Sequence, residues 1–87
     1  MPIISGRVVD HEGHPIEGAR VFFSRGPASY ADVSLVTGDD GEYTLAAPTE
    51  GEYQITTVAD EYGSTSTTVE VQREGVSMVE LKLDRPE

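Results

Sequence analysis

Ile4-Ser-Gly-Arg-Val-Val-Asp-His-Glu-Gly-His-Pro-Ile-Glu-Gly-Ala-Arg-Val21 is the stretch that decides the fold. Ile4, Gly6 and Val8 alternate with Ser5, Arg7 and Val9. Asp10, Gly13 and Pro15 then interrupt the run, and alternation resumes at Ala19, Val21 and Phe23. Successive side chains of an extended chain point to opposite faces, so a period of two is the mark of a half-buried strand. The stretch predicts a β-hairpin, two such strands joined by a polar loop.

The same rhythm continues outward. Arg25 to Asp32, with Gly26 and Pro27, reads as a loop, and Asp32 to Thr37 as a short third strand. Thr37-Gly-Asp-Asp-Gly41 has the composition of a tight turn, after which Glu42 to Ala46 is a strand with Tyr43 and Leu45 on one face. Pro48 to Gly51 turns the chain into the longest strand, where Tyr53, Ile55 and Thr57 alternate with Gln54, Thr56 and Val58 up to about Asp60. Glu61-Tyr-Gly63 reverses it, Ser64 to Val71 is rich in threonine and valine, and Arg73-Glu-Gly75 leads into a last strand with Val79, Leu81 and Leu83 on one side. No segment has apolar residues at helical spacing. Seven short strands with no room for crossover helices predict an all-β fold, a mostly antiparallel Greek-key β-sandwich.

Composition narrows the partners. Eighty-seven residues suit one domain, taken as residues 1–87, and most of the apolar side chains are needed for its core. Without cysteine there is neither a disulfide framework nor a thiolate metal site. Six basic against sixteen acidic residues give a formal charge of −10, a field that disfavours phosphate backbones and anionic membranes. Nucleic acid and membrane insertion are therefore not expected, whereas an acidic, soluble surface is. Lys82 is the only lysine beside five arginines, which fits a bacterial or archaeal high-GC genome. Met1 to Arg7 lacks the basic and apolar regions of an export signal. The expected location is the cytoplasm if the chain is full length, and extracellular or at the cell surface if it is a domain of something larger.

The order Ile4-x-Gly6-x-Val8-x-Asp10, Gly13-x-Pro15-Ile16-x-Gly18-Ala19-x-Val21, Thr37-x-Asp39-x-Gly41-x-Tyr43 and Gly51-x-Tyr53-x-Ile55 resembles the carboxypeptidase regulatory-like domain family. The resemblance covers nearly the whole chain. It implies a seven-stranded transthyretin-like, or immunoglobulin-like, sandwich serving as a non-catalytic appendage, stalk, adhesin or transporter-associated module, or as a stand-alone protein. The positions that carry it have structural reasons: Gly13 and Pro15 shape the first loop, Gly18-Ala19 lets a strand begin against the opposite sheet, and Gly41 closes a turn that aims Tyr43 inward. Two activities of transthyretin-like relatives are not expected. The chain ends Leu-Asp-Arg-Pro-Glu, with both histidines in one loop, unlike the hydroxyisourate hydrolases. It also has no asparagine for the isopeptide crosslink of collagen-adhesin modules.

Other chemistry-bearing groups are sparse. His11 and His14, beside Asp10 and Glu12, have the donor types of a zinc or nickel site, and Asp39 and Asp40 those of a calcium fragment. Both clusters read more simply as solvated turns, and neither a metal nor another cofactor is implied. Ser5 lies in a strand, without the glycine-flanked elbow of a hydrolase nucleophile. The six aromatic residues are too few for an evident sugar platform, so an accessory carbohydrate- or metal-binding domain is the secondary expectation. The primary one is a structural or protein-interaction module. Phe22, on the outward parity of its strand, is expected to form an exposed apolar patch with Val9 and Tyr30, facing an unidentified protein partner or a second copy of the chain.

Overall fold

The computed structural model describes residues 2–26 and 34–84. Strands β1 (Ile3–Val9), β4 (Glu42–Ala46), β7 (Val76–Met78) and β8 (Leu81–Lys82) form one sheet. β2 (Arg20–Arg25), β3 (Leu35–Val36), β5 (Gly51–Ala59) and β6 (Gly63–Val71) form the other, in the order β3-β2-β5-β6. The described residues contain no helix, and the two sheets enclose a single apolar cluster. The all-β, two-sheet expectation holds.

Alternation sets the core. Ile4 and Val8 from β1, Val21 and Phe23 from β2, Tyr43 and Leu45 from β4, Tyr53 and Ile55 from β5, and Leu81 and Leu83 at the end of the chain are all buried. Phe23 and Tyr53 pack with ring centroids 4.8 Å apart and tilted planes. Tyr53 keeps its polar tip satisfied: its hydroxyl donates to the Thr49 carbonyl and accepts from the Thr49 N–H, fastening the turn before β5.

Three expectations need correction. The opening stretch is not a two-strand hairpin, because β1 pairs with β4, β7 and β8 while β2 pairs with β3 and β5. Only the first part of the loop folds back: the Asp10 N–H bonds to the His14 carbonyl and the Ile16 N–H to the Val8 carbonyl. Gly18, with φ of 81°, then carries the chain across to the other sheet. There Thr37 receives it: the hydroxyl accepts from the Ala19 N–H at 3.0 Å and donates to the Ile16 carbonyl at 2.7 Å. A buried crossing needs its backbone groups paired, and this side chain pairs two of them.

The final strand is the second correction. It is divided into β7 and β8, giving eight strands among the described residues, and both pieces run parallel to β1. Parallel neighbours need a long connection, and here nearly the whole chain serves as one, so the sequence length imposes no barrier. The other four pairings are antiparallel. Third, of the segment expected as a strand from Asp32 to Thr37, only Leu35–Val36 is a described strand; Asp32 and Val33 lie outside the described residues.

The break between β7 and β8 has a chemical cause. The Val79 N–H bonds to the Ser5 carbonyl at 2.8 Å, while the Val79 carbonyl turns towards Gly6 and accepts from the Tyr43 hydroxyl at 2.6 Å. Tyr43 stands opposite Gly6 on the neighbouring strand. Its ring therefore reaches across the bare glycine to the third strand, and a Cβ at position 6 would occupy the volume of the Val79 carbonyl oxygen. Burial pushes the Tyr43 phenol up to about 12.

Candidate functional site

Loops 10–18, 38–41 and 60–62 meet at one end of the sandwich, and the candidate metal residues are found there. Asp10 Oδ1 accepts from the backbone N–H groups of Glu12 and His14, both at 2.9 Å, a side-chain cap that organises the turn. The His14 N–H foremost, with the Glu12 N–H and the two imidazoles, holds the Asp10 carboxyl below its ordinary value against an opposing effect of desolvation. His14 Nδ1 lies 3.6 Å from Asp10 Oδ2, whereas His11 Nε2 lies 3.7 Å from Glu12, so the two imidazoles face different carboxylates. Asp40 accepts from the Glu42 N–H, and both Asp39 and Asp40 are exposed on their turn. Among the described residues, no three histidine, aspartate or glutamate side chains are grouped to hold a metal ion.

Among the described residues, Val9 and Phe22 do not come together as the expected apolar patch. Val9 is 1 % exposed, and because β1 and β2 belong to opposite sheets, Val9 and Phe22 point to opposite sides of the molecule. Phe22 is half-buried, in register with Thr56, and Tyr30 lies outside the described residues. Around Phe22 the outer surface is hydroxylic rather than apolar. Thr56 Oγ1 donates to Ser24 Oγ at 2.7 Å and lies 2.8 Å from Ser66 Oγ, and Ser24 bonds to the carbonyl and side chain of Gln54.

An apolar surface lies instead on the outer face of the other sheet. Ile3 sits between Ala46 and Val76 in register, and Met78 is two residues further along the same edge strand. Val76 is 61 % and Met78 75 % exposed. Beside Met78 runs a groove of about 400 Å³ lined by Ser5, Gly6, Arg7, Glu42, Val79 and Glu80. Ser5 is occupied structurally, its hydroxyl donating to the Tyr43 carbonyl at 3.3 Å.

Sequence reasoning missed this face, although its signal was present. Val76 and Met78 share the outward parity of Glu80 and Lys82, so two apolar residues stand where polar ones belong. What parity could not reveal was that they lie beside Ile3, which is brought alongside by the parallel pairing.

The family comparison agrees with this architecture. No curated protein matches the chain. The family model of the carboxypeptidase regulatory-like domain matches residues 3–84, spanning every strand described above. That family has a transthyretin-like fold and is generally non-catalytic. The chain belongs to the carboxypeptidase regulatory-like domain family.

Proposed function

We propose that this domain is a non-catalytic interaction module that docks onto another protein through the outer face of the β4-β1-β7 sheet. The observation that carries the reading is the adjacency of Ile3, Ala46, Val76 and Met78, with Val76 and Met78 mostly exposed. Contiguous apolar surface of this kind marks interfaces more often than scattered apolar residues do. Arg7, Glu42 and Glu80 border it, which supplies the polar rim that surrounds the apolar centre of a protein interface. Among the described residues that line the groove beside Met78 none is aromatic, so a sugar-stacking role has less support than protein docking.

Methionine occurs only at positions 1 and 78. Incorporation of a photoreactive methionine analogue in the native host therefore places a crosslinker on this face. The expected result is a covalent adduct through position 78 to a distinct protein, lost in the Ala46→Glu/Val76→Glu variant, which keeps Met78, while the far-ultraviolet spectrum is unchanged. A double variant that retains the same adducts would overturn the reading.

A further inference from the structure

We propose that the outer edge of β6, which has no strand neighbour there among the described residues, is a self-association surface, on which a second copy of this chain adds its own β6 antiparallel with Thr67 facing Thr67. Unpaired edges invite strand addition, and folded proteins blunt them with short strands, charges, prolines or bulges. Among the described residues, two of the four sheet edges are blunted and a third, β4, is little more than half the length of β6. β3 is two residues long, β4 is a five-residue strand that starts at Glu42, and the β7–β8 edge is broken at Val79 and Glu80. β6 differs in length: it pairs with β5 over nine consecutive residues without a register shift, and its one charge, Glu70, lies next to its end.

The chemistry of this edge favours a second copy over another partner. Two chains of charge −10 repel each other least where they meet on a neutral strip, and Gly63 to Val69 carries no charge. Complete overlap of Gly63–Val71 with itself centres the pair on Thr67. That register sets Ser66 opposite Thr68 of the second copy, two hydroxyls that each donate and accept. The Ser24–Thr56–Ser66 row would then continue across the axis instead of stopping at the edge. Within the monomer Glu52 stands opposite Glu70, and this register adds no third carboxylate beside that pair. Glu70 falls opposite Ser64 of the second copy, on the row that leads through Val58 to Arg20, and away from the other Glu70.

The test exploits the absence of cysteine, because any introduced thiol is the only one in the chain. Sedimentation of the unmodified protein over a concentration series should show a monomer–dimer equilibrium. Oxidised Thr67→Cys should give a covalent dimer, since cross-strand neighbours lie within disulfide reach, and oxidised Val76→Cys should not. Ser66→Glu puts new carboxylates beside each other and beside Glu70 of the second copy, and should lower the association constant about tenfold with an unchanged far-ultraviolet spectrum. A protein that stays monomeric throughout overturns the proposal. So does a dimer that links through Val76→Cys but not Thr67→Cys, or one indifferent to Ser66→Glu. None of these results bears against docking through Met78, which lies on the other sheet.

Discussion

In the β3-β2-β5-β6 sheet, the longest pairing joins two strands adjacent in sequence, and nine residues of β5 face nine of β6 in unbroken register. In the other sheet, β1 is flanked by β4 on one side and by β7 and β8, from the far end of the chain, on the other. The first arrangement rests on alternation and a tight turn, and few residues in it are irreplaceable. The second joins three distant segments across a broken strand, and depends on one bare glycine and one phenol. The lesson is that distant pairing concentrates its requirements on a few atoms, whereas local pairing spreads them out.

Glycine substitutions break the comparison most directly. At Gly6 a methyl group would collide with the Val79 carbonyl, whose peptide is held by hydrogen bonds from the Val79 N–H to Ser5 and from Tyr43 to the oxygen. Gly6→Ala is expected to cost more than about 4 kcal/mol, a large part of the whole stability of a domain this size. In the other sheet, Gly63 has φ of 84° but open space around its Cα, so Gly63→Ala should cost only the left-handed strain, about 1–2 kcal/mol. Urea unfolding of both variants measures the contrast. Equal losses would show that the glycine under Tyr43 is no more constrained than a turn glycine.

The crossing between the sheets comes next in size. Thr37→Val keeps the shape of the side chain but leaves the Ala19 N–H and the Ile16 carbonyl unpaired in a buried place, at an expected cost of about 2–3 kcal/mol. A loss below about 0.5 kcal/mol in urea unfolding would mean that these groups find other partners, and that the crossing is not held by Thr37.

Tyr43 sharpens the picture through pH. Tyr43→Phe removes the donor to the Val79 carbonyl and should cost about 1–2 kcal/mol at neutral pH. The folded phenol titrates at about 12, above its ordinary value of 10, so the fold favours the protonated form. Its contribution is complete below pH 10 and is lost as the pH rises towards 12. Unmodified protein should therefore lose stability over that window more steeply than Tyr43→Phe. Identical alkaline profiles would remove Tyr43 from the account.

How much of this was legible in the sequence follows the same division. The β5–β6 pair could be read directly, because Tyr53, Ile55 and Thr57 alternate and Glu61-Tyr-Gly63 marks the reversal. The inward aim of Tyr43 was legible from the Gly41 turn, but its partner was not, since nothing local in the sequence says that residue 79 passes beside residue 6. The same gap hid the apolar face. Ile3 and Val76 are each ordinary alone, and only the parallel pairing of β1 and β7 makes them neighbours. The same gap concealed the separation of Val9 from Phe22, because alternation assigns both to outward faces without saying that the faces belong to different sheets. The acidic turns at Asp10 and Asp40 were recognisable as turns, their side chains capping nearby N–H groups.

The smallest effect has the opposite sign and lies in the regular sheet. Thr57 faces the core between Val21 and Thr65 in register, is fully buried, and its Oγ1 has no hydrogen-bond partner among the described residues. A hydroxyl buried without a partner loses its bonds to water and gains nothing in return. Thr57→Val replaces it with a methyl group of similar shape, and should stabilise the domain by about 1 kcal/mol in urea unfolding. Thr65→Val, at a half-buried neighbouring position, should change stability by no more than about 0.5 kcal/mol. If Thr57→Val instead destabilises the domain, its hydroxyl is bonded after all, and the regular sheet has a polar requirement of its own. If it stabilises as expected, the two sheets answer the loss of a hydroxyl with opposite signs, because in one the oxygen bridges strands that alternation cannot align and in the other it merely interrupts the core.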